Sequence, residues 1–497
     1  MIDDPAALHR AFAAHDARFD GVFYMGVTST GIYCRPVCTA RTPKAANCRF
    51  FSSAMAAEKA RFRPCLRCRP ELAPGNAPVD DGHRIATLLI RRIDEGMLDG
   101  GEGLERIAEK FGWSSRQIRR MVQREFGVSP MQLVQTRRLL LAKQLLTETG
   151  LAIGEVAFAS GFASLRRFND AFSAHYGMPP SRFRRSTSDA ARGDSQADAL
   201  TLQLGFRAPF DWQGLLRFLG ARAIPGIERV TSDAYARTVR LGGHAGRVEV
   251  RRHPMRDTLL VALSPSLLPV LPALLGRLRQ LFDLAARPDV IAAHLAADPL
   301  LAGAVRLTPG VRVPGAFDGF EMAVRAILGQ QVTVKGASTL TGRLVRSLGV
   351  ASGFAEAGFE RLSPTPERVA MASVDEIGSL GVIASRARSL IALASEVAAG
   401  RLCLEPGADP DDTMRRLVAL PGVGAWTAHY IAMRALRWPD AFPGSDLVLR
   451  QRLGGVSAAV AERRSQGWRP WRAYAAMYLW RGLPEGEGGR RLSQARQ

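Results

Sequence analysis

Six cysteines stand at positions 34, 38, 48, 65, 68 and 403, and Cys34-x3-Cys38 and Cys65-x2-Cys68 form close pairs. Thiols at that spacing make short knuckles of soft ligands. They suit one tetrahedral Zn2+ better than disulfides in a large chain that opens on MIDDPAALHRAF rather than on an apolar leader. Arg35, Arg41, Lys44, Arg61, Arg63, Arg67 and Arg69 crowd the pairs. Spacing alone leaves two roles open. One is a scaffold that holds a small domain together; the other is a metal-bound thiolate that is also a nucleophile, because zinc keeps sulfur ionised at neutral pH.

A second constellation lies far downstream. Leu420-Pro421-Gly422-Val423-Gly424 precedes AWTAHYIAMRAL, which reads as a helix. Glycines in such a hairpin let backbone N–H groups approach a phosphate, and the positive end of the next helix points the same way. An acidic residue follows, Asp446 in FPGSDLVLRQRL (442–453). A carboxylate beside a DNA grip can stabilise the oxocarbenium-like sugar left when an alkylated purine departs, and can orient the attacking water. Asp440, just after Pro439, reads instead as a solvated loop residue. Alkylation at N3 or N7 makes a purine cationic, so electron-rich rings select it. Trp426, Tyr430 and Trp480 are the candidate walls, while Trp468 and Trp471 read as core. No lysine stands in Gly424-Ala425-Trp426, so hydrolysis without Schiff-base strand cleavage is expected.

These groups need elements to hold them. A chain of 497 residues exceeds one core, and 47% hydrophobic content fits folded domains. A formal net charge of +21 points to a polyanionic partner such as DNA. Residues 80–185 have helical periodicity and contain a repeat: IAEKFGWSSRQIRRMVQREFGVSP (107–130) aligns with VAFASGFASLRRFNDAFSAHYGMPP (156–180). Each copy reads as a helix, a turn at Gly112 or Gly161, then a second helix. In the first copy Ile118, Met121, Val122 and Phe126 keep helical spacing, and Arg116, Arg119, Arg120 and Arg124 occupy other faces. Arg166 and Arg167 take the matching place in the second copy. Tandem copies predict a helix-turn-helix module that enters a major groove. Pro70 to Pro78 and Ser186 to Ala199 read as linkers, the second a flexible tether. Thr258 to Gly276 is uncharged but holds Pro265, Pro269 and Pro272, so it reads as a buried strand, a turn and a helix start rather than a membrane span.

The run GVTSTGIYCRPVCTAR (26–41), then FRPCLRCRP (62–70), then the doubled helix-turn-helix resembles the amino-terminal half of the Ada adaptive-response family over roughly residues 20–185. The resemblance implies a zinc module that accepts methyl from DNA methylphosphotriesters, with Cys34 as acceptor and Cys34, Cys38, Cys65 and Cys68 as ligands. It also implies a transcription activator of the AraC class. The family's O6-alkylguanine transferase motif, Pro-Cys-His-Arg, has no counterpart, since Cys403 stands in Leu-Cys-Leu-Glu.

From 200 to about 485 the chain resembles the AlkA family of DNA-3-methyladenine glycosylases. The carrying segments are FDWQGLLRFLGARAIPGIE (210–228), FEMAVRAILGQQVTV (320–334), LPGVGAWTAHYIAMRAL (420–436) and WRPWRAYAAMYLW (468–480). This resemblance implies Asp446 as the catalytic residue, Trp426, Tyr430, Trp480 and Phe218 as walls of the base pocket, and Gln331 as the wedge that replaces the flipped base. Leu447 departs where the family can place an aromatic, and Ser445 where some members have a second aspartate.

The expected architecture is a multidomain α+β chain. A small zinc domain built on four cysteines spans 1–78, an all-α tandem helix-turn-helix domain 79–185 and a linker 186–199. An antiparallel-sheet lobe follows over 200–285, then an all-α helix-hairpin-helix glycosylase domain over 286–485 and a disordered tail over 486–497. The expected function combines alkylated-base excision, methyl acceptance and transcription activation. Expected partners are double-stranded DNA, alkylated or operator, and RNA polymerase; the chain is expected to be a monomer in the bacterial cytoplasm, nucleoid-associated, with no membrane contact. One Zn2+ is the expected cofactor, with none for the glycosylase. The two halves are expected to work independently across the tether. Two rivals stand beside this: a transcription regulator whose C-terminal part only clamps DNA, and a metal-stabilised architectural DNA binder without chemistry.

Overall fold

The computed structural model describes residues 4–74, 104–105, 114–188, 200–354, 356–406 and 408–482. Near the N-terminus, strands β1 (Tyr24–Val27), β2 (Ile32–Cys34), β3 (Cys48–Phe51) and β4 (Arg63–Pro64) form one sheet in the order β3–β1–β2–β4. Gly31, at φ 65°, closes the β1–β2 turn in a conformation that other residues resist. β2 and β4 run parallel with Tyr33 opposite Pro64, and that register brings the next residues, Cys34 and Cys65, to one end of the sheet. Phe12, Phe23 and Met25 are buried with Cys34, Cys38 and Cys65 in one small core.

The helix Ser115–Phe126 starts at a reciprocal cap between Ser114 and Gln117 and stops at Gly127, φ 67°. Pro130–Glu148 starts the same way at Ser129 and Gln132. The second repeat is the expected helix-turn-helix: Ile153–Ala159, a turn with Gly161 at φ 89°, then Leu165–Tyr176. Helical spacing does mark the inner faces, since Ile118, Val122, Phe168, Phe172 and Tyr176 are buried. In the first repeat, the opening helix and Gly112 lie outside the described residues.

Pro70–Leu72, expected within a linker, form a buried 3-10 turn. Glu71 is held there by Lys143 at 2.7 Å and Arg69 at 3.0 Å. Residues 75–78 lie outside the described residues. Ser186 to Ser188 complete the helix Pro180–Ser188; the rest of the expected tether and the expected tail over 486–497 also lie outside.

A second sheet is built from β5 (Leu200–Gly205), β6 (Glu228–Val230), β7 (Ala234–Leu241), β8 (His244–Arg252) and β9 (Thr258–Leu263), in the order β5–β9–β8–β7–β6. β5 and β8 both pair antiparallel with β9, and β6 with β7. The uncharged Thr258–Gly276 stretch resolves into β9, a 3-10 turn at Pro265–Val270 and the start of the helix Leu271–Leu281. No helix among the described residues is long and apolar enough to cross a membrane. After this sheet the chain is mainly helical, so the architecture is the multidomain α+β one expected. Packing separates two compact units, residues 1–207 with 239–279 and residues 208–238 with 280–497.

Candidate active site and metal centre

Asp446 caps the helix Leu447–Arg452, its Oδ1 accepting the Leu449 N–H at 3.0 Å. The same carboxylate accepts the indole N–H of Trp426 on Oδ2 at 3.0 Å and that of Trp480 on Oδ1 at 3.1 Å. The cap and the two indoles all hold the carboxylate head, Oδ1 accepting two of the three bonds and Oδ2 the third. Trp426 and Tyr430, one turn apart on the helix Ala425–Arg434, stack with centroids 5.4 Å apart and planes 5° from parallel. Trp480 meets Tyr430 edge-on at 6.1 Å. The sequence-predicted carboxylate and three sequence-predicted rings thus converge on one corner.

Phe218 enters this corner through a residue the sequence reading missed. Arg434 is 3% exposed, donates from Nη1 to the Tyr430 hydroxyl at 2.8 Å and lies over the Phe218 ring at 5.0 Å. Its other nitrogens donate to the carbonyls of Pro314 and Gly315. Arg222 covers Phe218 at 3.8 Å. Burial alone would raise the Tyr430 phenol, but the Arg434, Arg222 and Arg325 guanidiniums outweigh it and hold the group below its ordinary value. Arg434 lies four residues after Tyr430 in the same helix, the one sequence signal that could have found it.

Asp440 is not the solvated residue expected. Arg472 grips it with two bonds, at 2.7 and 3.0 Å, and Arg469 adds a contact at 3.2 Å. Arg472 is buried, so its charge needs this partner, and Asp440 is committed to the fold. Trp468 and Trp471 are core, as read.

The hairpin at Leu420 to Gly424 joins the helices Pro410–Val418 and Ala425–Arg434. Gly422 sits at φ 74°, and Gly424 caps the second helix without a side-chain bond, so that helix presents backbone N–H groups at its start. Pro421, Gly422 and Gly424 are exposed, Leu420 is half-buried and Val423 is buried. Gln331 is exposed and held at φ 52°, a left-handed backbone that costs a non-glycine residue about 1–2 kcal/mol. Its neighbour secures it: Gln330 Nε2 donates to Gly422 O and to Thr427 Oγ1, both at 2.9 Å, and Arg386 donates to the Gln330 carbonyl. The turn at Gln331 and the hairpin are therefore one fastened piece, a link the reading of the sequence did not contain.

In the N-terminal sheet domain, the ligand atoms of Cys34, Cys38, Cys65 and Cys68 all lie within 4.8 Å of one another. A tetrahedral zinc with bonds of about 2.3 Å fits four sulfurs gathered this closely. The Arg35 N–H donates to Cys68 Sγ at 3.3 Å, and the Arg35 guanidinium donates to Cys68 O at 3.0 Å while paired with buried Asp20. Hydrogen bonding with Cys34 pushes the Cys38 thiol down to about 7. Cys48 turns away, toward Lys44 O at 3.3 Å, and Cys403 is exposed. Arg116, Arg119, Arg120, Arg166 and Arg167 are all exposed on their helices, Arg119 meeting Glu105 at 3.1 Å.

Family models match the chain in succession: the metal binding domain of Ada over 7–71, a helix-turn-helix domain over 107–186, the AlkA N-terminal domain over 201–318, and the HhH-GPD superfamily base excision DNA repair protein over 324–470. A probable bifunctional transcriptional activator/DNA repair enzyme AlkA of Mycobacterium tuberculosis is 40% identical over 97% of both chains. DNA-3-methyladenine glycosylase 2 of Escherichia coli is 36% identical, covering 56% of this chain and 95% of its own. The bifunctional transcriptional activator/DNA repair enzyme AdaA of Bacillus subtilis is 33% identical, covering 35% of this chain and 81% of its own.

Proposed function

From its membership of the family of bifunctional transcriptional activator/DNA repair enzymes of the AlkA type, we propose that the chain excises alkylated bases from double-stranded DNA, with Asp446 as the catalytic carboxylate. The observation that carries this reading is the Asp446 carboxylate held by the Trp426 and Trp480 indoles. The hairpin at 420–424 grips backbone phosphate, Gln331 enters the duplex, and a base of the 3-methyladenine or 7-methylguanine type turns out toward the aromatic corner. As its C1′–N bond breaks, the base leaves with the electron pair and positive charge builds on the sugar, where the fixed anion offsets it. Water then bonds to C1′, its proton passing to Asp446 or onward to solvent, leaving an abasic site. Gly424-Ala425-Trp426, just after the hairpin, carries no lysine, which supports hydrolysis alone.

At the other end, the Cys34 sulfur takes the methyl of a methylphosphotriester: the S–C bond forms as the O–C bond breaks, and the phosphodiester leaves as an anion. Zinc held by Cys34, Cys38, Cys65 and Cys68 would supply ionised sulfur at neutral pH. One negative charge is lost from the sulfur cluster, so repulsion from DNA falls and operator binding tightens. Arg116, Arg119, Arg120, Arg166 and Arg167 meet that DNA, with RNA polymerase as the further partner of a cytoplasmic monomer. Incubation with methylated DNA, following both released bases and protein mass, tests the two activities together. A chain that binds this DNA but releases no base is a regulator with a clamp.

A further inference from the structure

Among the described residues β5 is an edge strand, with β9 as its only neighbour in the sheet. Its outward N–H and C=O groups therefore need partners from outside the sheet. At Gln203 both find side chains of the helix Pro130–Glu148. Glu148 Oε2 accepts the Gln203 N–H at 3.0 Å, and Gln144 Nε2 donates to Gln203 O at 2.8 Å. At Gly205 the backbones approach so closely that a Cβ would stand 1.9 Å from the Leu72 carbonyl oxygen. Just past the strand, Arg207 Nε donates to Asp20 O at 3.0 Å, and Asp20 is the buried partner of Arg35 beside Cys34.

Glu148 is itself fastened. Arg69 reaches it at 2.5 Å and Glu71 at 3.0 Å; Glu71 pairs with Lys143 at 2.7 Å, and Lys143 donates to Cys65 O at 3.1 Å. Lys143 is 1% exposed, and a buried ammonium persists only when paired and hydrogen-bonded in this way. Arg69 directly follows Cys68 and sits at φ 53°, a strained backbone that its surroundings must impose. The knuckle thus sets Arg69, Arg69 sets Glu148, and Glu148 holds β5. We propose that the four-cysteine module and the helix Pro130–Glu148 form a docking site for the free edge of β5, so that metal binding by the cysteines fixes the first strand of the sheet lobe. This docking is independent of the excision reading.

Amide hydrogen exchange on the intact, zinc-loaded chain tests it, with Gly205→Ala and Glu148→Gln as variants. Alanine suits a strand interior better than glycine, so only the clash with Leu72 opposes the first change. The second keeps an acceptor for Gln203 but loses the ion pair with Arg69. In both variants, and in wild type after zinc chelation, the Gln203 amide should exchange about tenfold faster or more, the factor expected when a charge-assisted hydrogen bond is lost. Leu202 and Leu204 amides, which face β9, should stay protected in the variants and serve as the folding control. A Gln203 rate unmoved by chelation or by either substitution overturns the proposal.

Discussion

Tyr430 stacks on Trp426 while its hydroxyl is held by Arg434, so the charge of Arg434 should be readable in the titration of that phenol. The depressed phenol favours the ionised form in the fold. That contribution is present above the unfolded value of about 10 and is lost as pH falls through the lower folded value. Arg434→Met should therefore move the first tyrosinate absorbance to higher pH, and Tyr430→Phe should remove that component altogether. An unchanged titration in Arg434→Met would show that Arg434 does not set the ring's electronics. At the metal centre, exposure to methylphosphotriester DNA should add one methyl group, mapped by peptide mass to Cys34. Methyl found on Cys48 or Cys403, or on neither pair of knuckle cysteines, removes the switch.

Among the elements, the hairpin and the turn at Gln331 are coupled by side chains that no motif announces. Gly422→Ala meets a left-handed backbone and would place a Cβ 2.5 Å from Ser389 Oγ. It should cost about 1–2 kcal/mol from the backbone alone and weaken salt-dependent DNA binding. Single-turnover excision at saturating enzyme should change much less, whereas equal loss in both would place the hairpin in the chemistry. The hairpin and the helix-turn-helix were legible because each rests on local spacing: Gly424 before Ala425, Gly161 between its helices. Asp440 was misread because its partner, Arg472, lies far along the chain and nothing local marks the pair. Gln330 was passed over for the same reason, its acceptors lying on the distant hairpin.

For the whole molecule, the residues proposed for excision, from Phe218 through Gln331 to Asp446 and Trp480, all belong to one compact unit. A fragment starting at residue 200 should thus excise alkylated bases under single-turnover conditions, and zinc chelation should not abolish excision by the intact chain. The fragment's β5 edge, without Gln144 and Glu148, should show faster exchange at Gln203. A soluble, folded but inactive fragment would show that the halves act as one catalytic unit. The intact chain should bind DNA more tightly than the fragment, because joining two basic DNA-binding parts raises local concentration rather than the chemical rate. The docking of β5 was not legible in the sequence: Gln144 and Gln203 meet only after folding, and neither residue type nor spacing points to the other.

The central claim rests on the charge of Asp446, and single-turnover release of 3-methyladenine at saturating enzyme by wild type and Asp446→Asn tests it most directly. Asparagine keeps an oxygen at the Oδ1 position for the Leu449 N–H and the Trp480 indole, so the local structure should survive. It carries no charge to offset the sugar cation, and release should fall about 100-fold or more while DNA affinity is retained. Release within a few-fold of wild type would contradict the account.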